Sequence, residues 1–228
     1  MRPDGIVIAI DGPAGVGKST VGKLVAARVG YRFISTGKMY RALAWQALER
    51  GQDLESDGGL VKLALSLRWE FPKGSGPEAD ILLDGRKLEL ELVEERVSKA
   101  SSAIARLPGV RLFMKEMQRQ AGLRGGVVME GRDIGTNVFP DAELKIYLDA
   151  SAAARAKRRV GQLRGQGLPA DYDEILDFIK KRDAQDSGRA VNPLRKADDA
   201  SYVDSTELPR DQVVAAIVDL FNLATKKY

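Results

Sequence analysis

The chain has 228 residues, a formal net charge of +4 at pH 7, and neither cysteine nor histidine. It therefore forms no disulfide, thiolate metal site or imidazole base, and its chemistry must rest on carboxylates, amines, guanidinium groups and hydroxyls. The length permits one domain with an inserted segment, and the positive charge suits an anionic ligand.

An apolar run, Ile6–Ile10, opens the chain and predicts a buried strand. Asp11 ends this run far short of the roughly 18–20 apolar residues that a membrane span needs. No other segment approaches that length, so we expect a soluble, cytoplasmic protein without a membrane partner.

The predicted strand leads into a turn that fits Gly-x-x-x-x-Gly-Lys-[Ser/Thr], the phosphate-binding loop. Its glycines let backbone N–H groups turn inward around a polyphosphate, and the next helix N-terminus adds partial positive charge. Lys18 is expected to reach the β- and γ-phosphates, and Ser19 to ligate a bridging Mg²⁺. A strand-to-helix turn without a ligand is the alternative. The residues assigned to the donor nucleotide here are Gly12, Pro13, Ala14, Gly15, Val16, Gly17, Lys18, Ser19 and Thr20.

Helical and strand patterns alternate after the loop. The sequence predicts a helix over 19–29, a strand over 31–35 and a helix over 39–50, an opening typical of parallel α/β proteins. Such proteins bind ligands at the carboxyl ends of their strands, which makes Thr36, Tyr40 and Arg41 candidates. Taken alone, Arg41 is equally compatible with a solvent-exposed helix residue.

Short strands replace this alternation over residues 67–102. Segments 67–71 and 81–88 predict a small antiparallel sheet, with a connecting loop at 72–77 and a tight turn at Asp84-Gly85. We therefore predict an inserted subdomain over 67–102 and an α/β core made of 1–66 and 103–228. Ser102 and Arg111 flank a helix break at Pro108-Gly109, and a cap and a surface charge are the alternatives to binding roles for them.

A second buried strand, residues 126–130, delivers Gly131-Arg132-Asp133-Ile134-Gly135-Thr136 at its carboxyl end. A charged pair between glycines beside the nucleotide loop favours ligand binding by Arg132 and Asp133 over a structural ion pair. Strands over 144–149 and 202–204 complete five parallel strands around the first.

A basic segment over 155–164 follows, with glycines after it. Such a run is usually a solvated helix face or a nucleic-acid patch, but no aromatic residue interleaves with these charges. We interpret residues 153–170 as a lid whose arginines, Arg155, Arg158 and Arg159, close over the phosphates.

The predicted helix over 171–188 carries one stripe that begins apolar at Ile175 and Ile179 and ends charged at Arg182, Asp186 and Arg189. If its apolar start faces the core, the charged residues point inward as well and need partners. This arrangement favours a ligand site over an exposed Arg182–Asp186 pair. A last helix, over 213–221, is expected to be purely structural.

Taken together, these motifs resemble the bacterial cytidylate kinases over nearly the whole chain. The narrowest ones are Gly-Arg-Asp-Ile-Gly-Thr at 131–136 and Arg-Asp-x-x-Asp-x-x-Arg at 182–189. The resemblance implies a nucleoside monophosphate kinase fold with an enlarged insertion and a mobile lid, and transfer of a phosphoryl group from ATP to CMP or dCMP. Two positions depart from the family pattern: Ser35 stands where Asp is usual, and Lys38 replaces a small residue.

The resemblance also implies residue roles. It places Ser102, Arg111 and Asp133 on the cytosine ring, Arg182 and Asp186 on the ribose, and the remaining arginines of the motifs, Arg41, Arg132 and Arg189, on the acceptor phosphate. An Asp carboxylate accepts from the exocyclic amine of cytosine, where the carbonyl of uracil would oppose it.

No general base is required, because a phosphate oxygen of the acceptor is already anionic at neutral pH. Positioning and charge neutralisation suffice for in-line transfer of the γ-phosphoryl group. The residues predicted to act on the transferring group are Lys18, Arg132, Arg155, Arg159 and Arg189, while Arg158 is assigned to the donor nucleotide.

Three alternatives stay open: another small-molecule kinase with this loop, acting on UMP or shikimate; a nucleotide-dependent switch; and a nucleic-acid-binding module. The sequence lacks the Asn-Lys-x-Asp and Asp-x-x-Gly motifs of switches, and nucleic-acid binding predicts a steep salt dependence. We expect a monomer with small-molecule nucleotide substrates and no nucleic-acid partner.

Overall fold

The computed structural model of the protein describes residues 2–72 and 76–226. Its helices are α1 (Lys18–Val29), α2 (Thr36–Glu49), α3 (Asp57–Ser66), α4 (Glu95–Ile104), α5 (Pro108–Gly122), α6 (Ala152–Gly165), α7 (Tyr172–Ser187) and α8 (Arg210–Thr225). Its strands are β1 (Val7–Asp11), β2 (Arg32–Ser35), β3 (Trp69–Glu70), β4 (Leu82–Leu83), β5 (Arg86–Lys87), β6 (Val127–Gly131), β7 (Leu144–Asp149) and β8 (Ser201–Asp204). Within these ranges no helix combines the length and the apolar character needed to cross a membrane.

Five strands form one parallel sheet in the order β2-β6-β1-β7-β8. The first strand of the chain therefore lies at the centre. All residues of β1 and β6 are buried, because helices cover both faces of the sheet, as is usual for parallel sheets. The predicted core of five parallel strands around the first, flanked by helices, is confirmed.

The two faces of the sheet bury separate hydrophobic clusters. Side chains alternate along a strand, so Ala9 contributes to the cluster with α2, α3, α4 and α5, while Ile8 and Ile10 contribute to the cluster with α1 and α8. The helices thus cover the faces and leave the carboxyl ends of the strands to the connecting loops, where ligands of such folds bind.

Strands β3, β4 and β5 form a separate antiparallel sheet. Asp84 and Gly85, with φ angles of 52° and 80°, make the two-residue turn between β4 and β5 that the sequence predicts. Leu83 and Leu88 pack in the same hydrophobic cluster as Leu43 of α2, so the small sheet has no core of its own. The boundaries of the insertion at 67 and 102 stay a prediction, and residues 73–75 of the predicted loop lie outside the described ranges.

Between β3 and β4 the chain runs along the outer edge of β2. The Phe33 N–H donates to the Pro77 carbonyl at 2.6 Å, and the Ala79 N–H donates to the Phe33 carbonyl at 2.9 Å. This pairing fastens the segment between β3 and β4 to the outer edge of the main sheet, close to the point where β2 passes directly into α2.

The sequence analysis predicts no helix over residues 57–66, where the structure has α3. Its first turn contains Gly58 and Gly59, which are poor helix formers and favour a loop. The helix forms because the Ser56 side chain accepts a hydrogen bond from the Gly59 N–H at 3.3 Å and because Leu60 and Leu63 are buried. Tertiary packing here outweighs a weak intrinsic propensity.

The Asp57 carboxylate at the start of α3 caps another helix, α5. It accepts hydrogen bonds from the Gly109 N–H at 2.8 Å and the Val110 N–H at 3.0 Å. Such N–H groups have no partner within their own helix and carry partial positive charge. A Cβ at position 109 would lie 2.9 Å from Asp57 Oδ1, so this close approach requires glycine.

Gly109→Ala is expected to lower the free energy of unfolding by about 1–3 kcal/mol, because the added methyl group displaces the Asp57 carboxylate from two N–H groups. Gly58→Ala is the matched control, since a Cβ there has no neighbouring atom within 4 Å. It should stabilise α3 by about 0.5–1 kcal/mol. Urea unfolding of both variants measures their free energies of unfolding. Equal values would contradict the conclusion that a Cβ at position 109 displaces the Asp57 carboxylate.

Candidate active site

The carboxyl ends of β1, β2 and β6 border a cavity of about 370 Å³. Most of the predicted site residues line it: Ala14, Gly15, Gly17, Lys18, Ser19, Thr20, Thr36, Tyr40, Arg41, Ser102, Arg111, Arg132, Asp133, Arg182, Asp186 and Arg189. Gly12, Pro13 and Val16 belong to the loop but not to the cavity wall. The structure thus brings residues from distant parts of the sequence to one site.

The loop between β1 and α1 has the geometry of a phosphate-binding loop. Gly17 precedes α1 with a φ of 101°, and a Cβ at Gly12 would lie 2.0 Å from the Leu148 carbonyl oxygen. Lys18 Nζ donates to the carbonyls of Gly12 at 2.8 Å and Pro13 at 2.7 Å. Burial lowers the pKa of Lys18 to about 7, and a polyphosphate beside the ammonium group would favour its charged form.

The Glu130 carboxylate, at the end of β6, holds two hydroxyl groups at the mouth of this loop. Its Oε1 accepts from Ser19 Oγ at 3.0 Å and from Ser35 Oγ at 2.6 Å. Glu130 is buried and lines the cavity, and sequence reasoning did not select it. The feature of the sequence that could have identified Glu130 is a charged residue at the end of an otherwise apolar strand. Ser35, where the family usually has Asp, is thus paired with an acidic neighbour.

The Asp11 carboxylate, at the end of β1, fixes the turn that carries the second motif. It accepts from the Ile134 N–H at 2.8 Å and from the Gly135 N–H at 2.7 Å. Burial raises the pKa of Asp11 to about 7, although the two hydrogen bonds oppose this effect. These bonds set the position of the single π-helical turn, Ile134–Val138, that follows Asp133.

Asp133 and Arg111 form a buried pair in the cavity wall. Arg111 Nη2 donates to Asp133 Oδ2 at 2.7 Å, and Asn137 Nδ2 donates to the same oxygen at 2.9 Å. Arg111 Nη1 also donates to the Ala105 carbonyl at 3.2 Å, while its buried Nε has no hydrogen-bond partner among the described residues. Arg132 and Asp133 do not pair with each other, which rules out the structural ion pair between these sequence neighbours.

Asp186 of α7 holds two arginines on its two oxygens. Arg132 Nε donates to Oδ2 at 2.8 Å, and Arg189 Nη2 donates to Oδ1. Burial would raise the pKa of Asp186, but the two guanidinium groups keep it below its ordinary value. The predicted inward stripe of α7 is confirmed, since Ile179 and Asp186 are both buried and Asp186 lines the cavity.

Positive charge exceeds negative charge in this part of the cavity. Arg41 and Arg182 line it, and neither forms an ion pair within the described ranges of the chain. Burial lowers the pKa of both side chains, and the neighbouring Arg132 adds to the effect. Converging cations without enough carboxylates to balance them are typical of a site for a multiply charged anion.

The first turn of α2 contributes Thr36 and Tyr40 to the cavity and directs Lys38 elsewhere. Lys38 Nζ lies 2.7 Å from the Glu78 carboxylate, which Lys23 of α1 also contacts at 2.7 Å. Burial would raise the pKa of Glu78, but the two ammonium groups lower it. The departure from the family pattern at Lys38 is thus matched by a partner in the inserted segment.

The predicted lid arginines on α6 lie outside the cavity wall. Arg155 is buried and pairs with Asp183 of α7. Arg158 donates to the Ser205 hydroxyl at 3.3 Å and to its carbonyl, and exposed Arg159 donates to Gln162 Oε1 at 2.9 Å. Their roles stay predictions. The cavity residues that sequence reasoning did not select are Ser35, Gly37, Ser101, Ala105, Glu130, Gly131 and Gln162.

Comparison with known sequences identifies the family of the chain. The sequence model of the cytidylate kinase family matches residues 8–223. The chain is 44% identical over 220 residues to the cytidylate kinase of Bacillus pumilus, covering 96% of this chain and 97% of that one. It is 44% identical over 209 residues to the cytidylate kinase of Aliivibrio salmonicida, covering 92% of this chain and 93% of that one.

Solved structures agree at the level of the fold. A gluconokinase from Sinorhizobium meliloti superposes with a TM-score of 0.51 at 16% identity, covering 100% of this chain and 98% of that one, which indicates a shared architecture alone. The family match, by contrast, spans nearly the whole chain, and the identity extends over most of the length of each relative. The chain therefore belongs to the cytidylate kinase family.

Proposed function

We propose that the protein transfers the γ-phosphoryl group of ATP to CMP or dCMP, giving ADP and CDP or dCDP. The observation that carries the proposal is one cavity that joins a phosphate-binding loop, a surplus of arginines and a buried Arg111–Asp133 pair. The loop suits the donor, the arginines suit the phosphate of an acceptor, and the pair suits a base with an exocyclic amine.

The acceptor phosphate is assigned to Arg41, Arg132 and Arg189, which come from three different elements around the cavity. Asp186 supports this assignment because it already holds Arg132 and Arg189 in place. An incoming phosphate then meets guanidinium groups whose positions are set in advance, which reduces the entropy lost on binding. Arg182 and Asp186 are assigned to the ribose, so Asp186 would serve both the sugar and the arginines.

The base is assigned to Ser102, Arg111 and Asp133. Asp133 uses Oδ2 for its protein partners, so Oδ1 is available to accept from the cytosine amine, and the Arg111 guanidinium group is proposed to donate to a ring acceptor. Uracil presents a carbonyl where cytosine presents the amine, and a carboxylate facing that carbonyl is repulsive.

Transfer needs no proton acceptor, because the attacking oxygen of the monophosphate is anionic. Lys18, Arg132 and Arg189 are proposed to neutralise the charge that spreads over the transferring group. Arg159 is proposed to join them, and Arg158 to contact the donor, once α6 moves toward the loop. Arg155 already donates to the Ala14 carbonyl of the loop and is proposed to act on the transferring group from that position. Residues 153–170 would then act as the lid.

Mg²⁺ fits the residues beside the loop. The Ser19 hydroxyl and the buried Glu130 carboxylate lie 3.0 Å apart and offer the oxygen donors that Mg²⁺ prefers. Ser19 is the proposed ligand, with Glu130 as an acidic neighbour. When bound, the ion neutralises phosphate charge and orients the γ-phosphoryl group.

The organisation that goes with this function is a core of residues 1–66 and 103–228 and an inserted subdomain of residues 67–102. The insertion would bind the monophosphate side of the cavity through Ser102 at its end. We further propose a monomer that acts on small-molecule nucleotides and not on nucleic acid.

Acceptor choice is tested by a coupled assay of ADP release with ATP, Mg²⁺ and each of CMP, dCMP, UMP, AMP and GMP. CMP or dCMP should give the highest kcat/KM, and UMP a much lower one, because of the two pyrimidines only cytosine presents an exocyclic amine to Asp133. Highest activity with UMP, or no activity with any of the nucleotides, would contradict the proposal.

Lys18→Ala is expected to lower kcat by roughly 10²–10³-fold, because it removes a buried cation from the transferring phosphoryl group. Lys62→Ala, which changes an exposed lysine of α3, is the control and should leave kcat unchanged. Turnover of Lys18→Ala within a few-fold of the wild type would show that Lys18 does not act in the transfer.

Asp133→Asn is expected to lower kcat/KM for CMP by roughly 10–200-fold, the effect of losing a hydrogen bond to a charged group, while the KM for ATP stays unchanged. The ratio of kcat/KM for CMP to kcat/KM for UMP should fall as well. Asp198→Asn, at an exposed site, controls for loss of charge. Equal losses with both pyrimidines would indicate a role in folding and not in base selection.

A further inference from the structure

Arg155 lies where three segments of the protein meet. Its Nε donates to the Ala150 carbonyl at 3.0 Å, at the end of β7, and its Nη1 donates to the Ala14 carbonyl at 3.0 Å, in the phosphate-binding loop. The side chain is 4% exposed. A guanidinium group held by two backbone carbonyls in a buried site is fixed relative to the loop.

The third segment is α7, through Asp183. Arg155 Nη1 lies 3.0 Å from Asp183 Oδ1 and Nη2 lies 2.6 Å from Oδ2, which is a bidentate pair. Such pairs fix orientation as well as distance, because two parallel hydrogen bonds resist rotation. Neither Arg155 nor Asp183 lines the cavity.

The neighbours of this pair on both sides do line the cavity. Ala14 belongs to the donor side, whereas Arg182 and Asp186 of α7 belong to the acceptor side. Asp183 follows Arg182 directly and lies one helical turn before Asp186, so a displacement of Asp183 moves both residues. The path from donor loop to acceptor helix is thus Ala14, Arg155, Asp183 and α7.

We infer that Asp183 is a positioning residue that couples the two nucleotide sites through Arg155. A donor that shifts the loop at Ala14 also shifts Arg155 and, through Asp183, the face of α7 that binds the acceptor. The second nucleotide then binds to a site that the first has already brought into the bound arrangement, which makes its binding more favourable. This inference rests on the proposed function, because it needs a nucleotide on each side.

Asp183→Asn is the selective test of this path. It removes the charge that holds the fork of Arg155 to α7, yet leaves the two bonds from Arg155 to the Ala150 and Ala14 carbonyls available. Asp177→Asn is the matched control, since Asp177 lies on the same helix, is exposed and has no side-chain partner within residues 2–72 and 76–226.

The measurement is calorimetric binding of CMP with and without a non-hydrolysable ATP analogue and Mg²⁺. The wild type and Asp177→Asn should bind CMP roughly 5–150-fold more tightly when the analogue is present. By reciprocity, CMP should raise the affinity for the analogue by the same factor. In Asp183→Asn this factor should fall close to one, while each nucleotide alone binds with nearly unchanged affinity. A purely structural tie would instead weaken both single affinities and leave the factor intact.

Undiminished coupling in Asp183→Asn, or a wild type in which the two ligands bind independently, would overturn the inference. A wild type that binds the ATP analogue but not CMP would overturn the proposed function instead. If Asp183→Asn does not fold, Asp183→Glu, which keeps the charge but shifts the carboxylate by one methylene group, replaces it. Asp183→Glu should then show reduced coupling with normal single affinities, and full coupling would count against the inference.

Discussion

The buried carboxylate of Asp11 is the interaction on which the site depends. It ends the central strand, immediately before the phosphate-binding loop, and it accepts two N–H groups from the turn that follows Asp133. One side chain therefore sets the distance between the phosphate-binding loop and the turn that follows Asp133. The interior offers little solvation for this charge, and the raised pKa of Asp11 reflects that cost. The two N–H groups compensate for part of it.

The same arrangement recurs around the cavity. Glu130 holds the hydroxyls of Ser19 and Ser35, Asp186 holds two arginines, and Asp133 holds Arg111. Each acidic side chain fixes donor groups that line the cavity. Because these acids do not balance all the cations, the cavity keeps a net attraction for anions while its donors stay ordered. This is how a chain without histidine or cysteine can build a site for phosphoryl transfer.

The sequence predicts the α/β core, the order of its strands along the chain and the small antiparallel sheet, because these depend on periodicity and on local turn residues such as Asp84 and Gly85. It also predicts most of the cavity residues, since the ends of parallel strands meet at one edge. Ion pairs between residues that are distant in the sequence cannot be predicted from the local sequence pattern. Arg132 pairs with Asp186 and not with its neighbour Asp133, and Lys38 turns to Glu78, far along the chain. Helix α3, whose first turn contains two glycines, likewise depends on the Ser56 cap and on its burial in the core.

The bonds between Phe33 and the segment at Pro77 and Ala79 have a consequence for association between molecules. An edge strand with open N–H and C=O groups is a template for a strand from another chain, and proteins that leave such an edge uncovered risk aggregation. Here the segment between β3 and β4 occupies that edge of β2 at Phe33. This segment thereby shields one border of the main sheet from intermolecular strand pairing.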